Sequence, residues 1–160
     1  MQTEFGGYEI SNDRERLDID LIHRFLNQDS YWARGIPRPV VAESIRNSLC
    51  FGVYDGSGKQ VGFARVVTDH AVIAYLADVF IVPEHRGRGV SKFLMGTILA
   101  HPRLQGLRRW MLATFDAHGL YQQFGYRPLA NPEYWMEIAD LDLYTRIEPR
   151  ERRLAGDDHE

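Results

Sequence analysis

The most informative segment of the chain runs from residue 79 to residue 92 and reads Val79-Phe80-Ile81-Val82-Pro83-Glu84-His85-Arg86-Gly87-Arg88-Gly89-Val90-Ser91-Lys92. Its opening residues are β-branched or aromatic and predict the end of a strand, which Pro83 stops because proline cannot donate to a ladder. The hydrophobic period then changes, and residues Gly89 to Ala100 predict a helix. The stretch is therefore a strand, a glycine-bearing loop and a helix.

The loop between this strand and this helix has the composition of a diphosphate site. Gly87 and Gly89 let main-chain N–H groups approach an anion without a Cβ in the way, and the helix N-terminus adds unpaired donors and a positive dipole end. Arg86, Arg88 and Lys92 add positive charge. The spacing fits neither a Walker A loop nor the three-glycine dinucleotide fingerprint. A basic glycine turn that merely links strand to helix is the alternative interpretation.

The rest of the chain extends this unit into the order β-α-α-β-β-β-α-β-α-β-β. Because antiparallel hairpins precede one β-α-β crossover, we expect an α+β fold, with a mixed, mainly antiparallel central sheet flanked by helices. The other predicted strands are Tyr8–Ser11, Leu49–Tyr54, Gln60–Thr68, Val72–Val82, Trp110–Phe115, one from Tyr126 and Tyr134–Ile138; the other predicted helices begin at Asn12 or Asp13, run from Arg38 to Ser48, and run from Ala117 to Phe124.

Composition sets the broad class of the protein. A length of 160 residues suits one domain, which we expect over residues 1–147, with a polar, flexible tail over residues 148–160. The net charge of -3 argues against a nucleic-acid partner. Cys50 is the single cysteine, and no segment resembles a signal peptide or a membrane span, so we expect no membrane partner and a cytoplasmic location. His85, His101 and His118 lack ligand spacing, so no metal site is expected.

A second motif lies further along the chain, in residues 114–126, which read Thr114-Phe115-Asp116-Ala117-His118-Gly119-Leu120-Tyr121-Gln122-Gln123-Phe124-Gly125-Tyr126. The two motifs together resemble those of the GNAT (Gcn5-related N-acetyltransferase) superfamily, usually written Arg/Gln-x-x-Gly-x-Gly/Ala and Asn-x-x-Ala-x-x-Leu-Tyr-x-x-x-Gly-Phe. Ser91 stands where the family prefers glycine or alanine, Thr114 where it often has asparagine, and Tyr126 where it has phenylalanine. The resemblance covers roughly Leu49 to Ile138.

The resemblance implies that the co-substrate is acetyl-CoA. Its diphosphate would bind the amides that follow Arg86, and its pantetheine arm would lie along the preceding strand like an added strand. The implied contacts are Phe80, Ile81, Val82, Arg86, Gly87, Arg88, Gly89, Val90, Ser91 and Lys92, with Thr114 and His118 from the second motif.

The resemblance also suggests how acyl transfer is catalysed. Tyr121 would protonate the departing thiolate, since family members place this tyrosine near the thioester sulfur; a core tyrosine is the alternative. A backbone N–H near Phe80, where the strand of the family bulges, would polarise the carbonyl. Alternation along the strand puts Leu76, Asp78, Phe80 and Val82 on one face, which makes Asp78 either the general base or a structural carboxylate. His118 could instead relay protons.

The acceptor site is expected in the region of the first helices. The residues expected to line it are Tyr31, Trp32 and Arg34, together with Tyr134 and Trp135, since aromatic side chains can sandwich a flat or cationic acceptor. The alternative is that these aromatic residues close the edge of the sheet. Arg34 could bind an acceptor carboxylate. The predicted function is acetylation of a primary amine on a small or amino-acid-like molecule. The alternatives are acetylation of a protein lysine or N-terminus, a non-catalytic acyl-CoA-binding module, and a nucleotide-binding protein of another class. Many relatives dimerise, so a homodimer is compatible with the resemblance.

Overall fold

The computed structural model describes residues 2–146. They fall into two compact units, one made of residues 2–18 and 45–128, the other of residues 19–44 and 129–146. The predicted tail, residues 148–160, lies outside the described residues, and a single domain over residues 1–147 stays a prediction. No helix in the described part of the chain is both long enough and apolar enough to cross a membrane.

The first unit contains a six-stranded sheet whose strands lie in chain order. Neighbouring strands are antiparallel except the last pair, which is parallel. The predicted α+β fold is confirmed. The strands are β1 (Gln2–Phe5), β2 (Tyr8–Ser11), β3 (Leu49–Tyr54), β4 (Gln60–Thr68), β5 (Ile73–Ile81) and β6 (Arg109–Met111); the helices of this unit are α3 (Val90–Leu99) and α4 (His118–Gln122).

The core of the first unit lies between the sheet and α3. Leu94, Met95 and Ile98 of this helix are fully buried in one cluster with Phe51 of β3 and Val66 of β4. Burial of one such side chain contributes about 1.5–3 kcal/mol. This packing fixes α3 against the sheet, so the loop that joins β5 to α3 has two rigid ends.

The second unit is helical. It contains α1 (Ile19–Arg24), a π-helical turn at Phe25–Asp29, α2 (Arg38–Arg46) and α5 (Leu143–Arg146). The helix predicted from Asn12 or Asp13 begins later, because a 3₁₀ turn at Arg14–Arg16 is followed by extended backbone at Leu17. The spacing of the apolar residues predicts one continuous helix here, because such spacing does not show a break in the helical backbone.

The predictions for the last strands were wrong. Residues 126–131 and 135–140 form no strand, and a 3₁₀ turn at Pro132–Tyr134 takes the place where the last strand was predicted to begin. Pro128 precedes that turn and Pro132 is its first residue, and neither has an N–H to donate to a ladder. The sequence patterns did not predict β1. The strand β6 was predicted, but it is shorter than the predicted range Trp110–Phe115.

Cys50 supplies a first testable prediction. It is 4% exposed, and burial raises the pKa of its thiol from 9.0 to about 12. Because only the thiolate is nucleophilic, we expect the native protein not to react with a disulfide reagent at pH 8, and the urea-unfolded chain to release one equivalent. The native state keeps this proton between pH 9 and 12 while the unfolded state loses it, so the unfolding free energy should fall as pH rises through that window. Rapid labelling of the native protein would contradict the burial.

Candidate functional site

The loop before α3 has the open geometry that an anion site needs. Gly87 has φ 73° and Gly89 has φ 78°, both in the left-handed region that favours glycine. A Cβ on Gly87 would meet no atom within 4 Å. The carbonyl of Gly89 accepts from Phe93 N–H at 3.0 Å, and the N–H groups of residues 90–92 come before that helical bond. These amides are donors that a phosphate could accept from.

The two arginines of the loop hold its shape. Arg86 Nε donates to the Ile81 carbonyl at 2.8 Å, which ties the loop back to the end of β5. Arg88 donates from Nη2 to the Glu84 carbonyl at 3.2 Å and from Nη1 to the Tyr8 hydroxyl at 3.3 Å. Both guanidinium groups are therefore held by hydrogen bonds to the segments that border the loop.

Tyr8 and His85 are loop contacts that sequence reasoning missed. The Tyr8 hydroxyl lies 2.9 Å from His85 Nδ1, and Tyr8 is 7% exposed. Arginine can only donate, so the Tyr8 oxygen accepts from Arg88, while the direction of the Tyr8–His85 hydrogen bond is set by the His85 tautomer. No local pattern in residues 8–11 signals this role, because Tyr8 is 77 residues from its partner.

One edge of β5 is open next to this loop. β6 pairs with β5 only as far as Tyr75, opposite Met111, and no other strand among residues 2–146 pairs with that edge. Val82 N–H donates to the Val61 carbonyl of β4 at 2.9 Å. Since backbone groups alternate in direction along a strand, the amide of Ile81 faces the open edge, and by the same alternation so does that of Val79.

Asp78 lies in a β-bulge. Phe63 pairs with Phe80 and Arg65 pairs with Ala77, so one residue of β4 lies opposite two of β5, Asp78 and Val79. Asp78 has φ 54°, a left-handed conformation that glycine often takes in bulges. This bulge lies next to Phe80, near the position that the family resemblance implies.

The bulge shows that the predicted face of β5 is wrong. Leu76 lies opposite Val66 and belongs to the core cluster, whereas Phe80 lies opposite Phe63, with 6.1 Å between the ring centroids. Val66 and Phe63 are three residues apart on β4, so Leu76 and Phe80 are on opposite faces. An inserted residue changes the alternation, and the period of two in the sequence cannot show it.

The Asp78 carboxylate forms an ion pair. It accepts from Arg65 Nε at 2.8 Å, and the two side chains are 10% and 18% exposed. Arg65 Nη1 also donates to Ser48 Oγ at 3.2 Å. This environment supports the structural alternative for Asp78 that the sequence left open.

Tyr121 is buried on α4. It is 8% exposed and belongs to the core cluster, and its ring contacts the Tyr126 ring edge-on at 5.9 Å. Burial raises the pKa of Tyr126, whose hydroxyl has no hydrogen-bond partner among the described residues.

The other two residues predicted from the second motif lie at the start of α4. Thr114 Oγ1 accepts from Ala117 N–H at 3.1 Å, just before the start of α4, and His118 on α4 is exposed.

The predicted acceptor residues belong to the second unit. Tyr31 and Trp32 are 53% and 42% exposed, and their rings meet edge-on at 5.0 Å. Arg34 is exposed and donates to the Gln28 carbonyl at 3.5 Å. The three side chains therefore share one short exposed segment, and Tyr134 is also exposed in the same unit.

Two other features of the described residues do not favour a diphosphate or a metal ion. A cavity of about 610 Å³ lies between the β1–β2 and β3–β4 turns and is lined by three carboxylates, Glu4, Glu9 and Asp55, which disfavour a diphosphate. In residues 2–146, no group of three His, Cys, Asp or Glu side chains could hold a metal ion.

Comparisons with known proteins agree with this geometry. The acetyltransferase (GNAT) domain family matches residues 46–128. A Gibberella zeae protein assigned as an acetyltransferase is 34% identical over 137 residues, covering 72% of this chain and 76% of that protein. Human N-acetyltransferase 8B is 31% identical over 105 residues, covering 60% of this chain and 46% of that protein.

Solved structures show the same fold. A Xanthomonas campestris protein assigned to the GNAT family superposes with a TM-score of 0.86 at 52% identity, covering 89% of this chain and 99% of that one. A Clostridium acetobutylicum acetyltransferase crystallised with acetyl-CoA has a TM-score of 0.60 at 13% identity, covering 87% and 96% of the two chains, which shows a shared fold alone.

Proposed function

The chain belongs to the GNAT family of acetyltransferases, and we propose that it transfers the acetyl group of acetyl-CoA to a primary amine on a small or amino-acid-like molecule. The observation that carries the proposal is that the open edge of β5 leads directly into the loop that starts α3. A ligand with an extended arm and a diphosphate fits both features, with the arm as an added strand. A solved structure with the same fold, from Clostridium acetobutylicum, was crystallised with acetyl-CoA.

The proposed diphosphate contacts are the main-chain amides of the loop and the first turn of α3. The arm would accept a hydrogen bond from Ile81 N–H at the open edge of β5. Val82 N–H is already bonded to β4, so Val82 would contribute packing only. The proposed set is Phe80, Ile81, Val82, Arg86, Gly87, Arg88, Gly89, Val90, Ser91 and Lys92, with Thr114 and His118 beside it.

The proposed chemistry is direct attack of the amine on the thioester. The amine nitrogen forms a bond to the carbonyl carbon, the carbon–sulfur bond breaks, and the thiolate takes the Tyr121 hydroxyl proton. A phenol with pKa about 10 and a thiol with pKa about 8.5 are close enough for efficient transfer. The N–H of Val79 would stabilise the negative charge on the carbonyl oxygen. The amine proton would leave through water, with His118 as an exposed relay, and the Tyr121 phenolate would regain a proton from solvent.

The proposed acceptor residues are Tyr31, Trp32 and Arg34. The two exposed rings offer faces to a cationic or flat group, and the Arg34 guanidinium suits an acceptor carboxylate. This combination of aromatic and positive groups is the reason to favour an amino-acid-like amine.

A thiol-release assay with acetyl-CoA tests the proposal across polyamines, amino acids, aminoglycosides and peptides. We expect turnover with a small amine, and an Arg34→Gln variant should lose turnover most with acceptors that carry a carboxylate. Turnover with peptides alone would identify a protein acetyltransferase. CoA binding without turnover on any acceptor would indicate a non-catalytic module, and ATP or NAD binding in competition with CoA would contradict the ligand assignment.

Tyr8 gives a prediction for cofactor affinity. Replacing Tyr8 by phenylalanine removes the hydroxyl that Arg88 and His85 contact. We expect the Kd for CoA to rise about fivefold, since one net hydrogen bond contributes about 1 kcal/mol, and calorimetric titration would measure it. The matched control is Tyr54→Phe, which removes a buried hydroxyl that has no partner among residues 2–146. Equal CoA affinities for both variants would contradict a role for Tyr8.

A further inference from the structure

One residue of β5, Asp78, has a strained backbone conformation that its surroundings must stabilise. Asp78 is the one non-glycine residue within a described strand that has a positive φ, and the other such residue among residues 2–146, His70, lies in a turn. An L-residue in this region carries steric strain, and such strain persists only where the surroundings impose it. Glycine would take the same conformation without strain. The choice of aspartate therefore points to its side chain.

The surroundings that impose the bulge are polar and nearly buried. Arg65 lies on β4 beside the bulge and donates from Nε to the Asp78 carboxylate at 2.8 Å. Its Nη1 is held by Ser48 Oγ at 3.2 Å. The guanidinium is thus fixed at two points, and it fixes the carboxylate in turn. An ion pair this well shielded from water is screened little by salt.

The bulge controls the direction of the backbone groups that follow it. Inserting one residue changes the alternation, so Val79 and Ile81 direct their N–H groups to the open edge of β5. Without the insertion, those two amides would face β4, and Phe80 and Val82 would face the open edge. The bulge therefore decides which amide can meet an acyl carbonyl.

We propose that Arg65 is a positioning residue that, through its ion pair with Asp78, holds the β5 bulge and aims the Val79 N–H at the acyl carbonyl. This inference rests on the proposed function. It gives Asp78 a positioning role as well, in place of proton abstraction, because its carboxylate is engaged by Arg65. Neither side chain needs to touch the substrate.

The test is a double-mutant cycle of Arg65→Gln, Asp78→Asn and the combined variant. If the pair acts as a unit, each single variant lowers kcat about tenfold, which corresponds to about 1.4 kcal/mol, and the combined variant is no worse than either. The Kd for CoA should stay within twofold, since the diphosphate loop is untouched. Arg16→Gln is the matched control, because it breaks the ion pair of Arg16 with Glu9 on the same unit.

A second measurement separates positioning from proton transfer. Positioning predicts that Asp78→Asn lowers kcat by the same factor at every pH and that amide hydrogen exchange at residues 79–81 becomes faster in Arg65→Gln. A general base predicts instead that Asp78→Asn abolishes the acidic limb of the pH profile while Arg65→Gln leaves kcat near the wild-type value; that result would overturn the inference. An Arg65→Gln variant with unchanged amide hydrogen exchange at residues 79–81 and unchanged kcat would also overturn the inference. Loss of turnover in the wild type itself would reject the proposed function, and the exchange measurement would still test the bulge.

Discussion

Replacing Tyr121 by phenylalanine should lower kcat about a hundredfold and leave the Kd for CoA unchanged. General acid catalysis contributes 10²–10⁴-fold, and the lower end applies here because water can partly replace the phenol. The aromatic ring is retained, so the packing of Tyr121 in the core cluster should survive. Steady-state thiol release at saturating acetyl-CoA would measure kcat, and calorimetry with CoA would measure Kd.

Tyr126 provides the control for this prediction. Its ring contacts that of Tyr121, and its buried hydroxyl has no partner among the described residues. Tyr126→Phe should therefore keep wild-type turnover, and it should unfold at an equal or higher denaturant concentration, because it removes an unsatisfied polar group. Equal kcat values for Tyr121→Phe and the wild type would contradict the assignment of Tyr121 as the acid.

Replacing Gly89 by alanine should weaken CoA binding by about 10- to 100-fold, the equivalent of about 1.5–3 kcal/mol of charge-assisted hydrogen bonding. Gly89 has φ 78° at the N-cap of α3, where a Cβ would strain the backbone and stand beside the amides of residues 90–92. The Cβ itself would find room, since its nearest neighbour is the Phe5 ring at 3.7 Å. The loss should therefore appear in CoA affinity, which calorimetry measures.

Gly106→Ala separates affinity from backbone strain. Gly106 has φ 72°, and a Cβ there would meet no atom within 4 Å. Both variants should lose about 1–2 kcal/mol of stability from the left-handed conformation, but only Gly89→Ala should lose CoA affinity. A parallel loss of affinity in Gly106→Ala would show that general destabilisation is responsible.

The parts of the fold that were predicted correctly are those with strong local signals. The hairpin β3–β4 follows from the turn residues Asp55-Gly56-Ser57-Gly58 between two apolar runs, and α3 follows from its apolar face and the glycines before it. The 3₁₀ turn at Pro132–Tyr134 and the extended backbone at Leu17 interrupt patterns of apolar residues that look continuous in the sequence. Pro132 is a local signal for the first break, because proline has no N–H for a ladder. The break at Leu17 has no such signal in the spacing of the apolar residues.

The candidate site likewise contains parts that the local sequence predicts and parts that it does not. The loop glycines carry their geometry in the local sequence, because a left-handed φ next to a helix start favours glycine. The contact of Tyr8 with His85 joins residues 77 apart in the chain, and the contact of Arg65 with Asp78 depends on the register of β4 against β5, so spacing alone reveals neither. The bulge at Asp78 was expected near Phe80 only from the family resemblance, and its effect on the strand faces became visible only in the register of β4 and β5.

A crystal structure of the protein with CoA would test directly whether the amides at the start of α3 bind the diphosphate. We predict diphosphate oxygens within about 3 Å of the amide nitrogens of Val90 and Ser91, with the pantetheine arm along the open edge of β5 and its sulfur beside the Tyr121 hydroxyl. CoA bound at another surface, with these amides facing only water, would contradict the account.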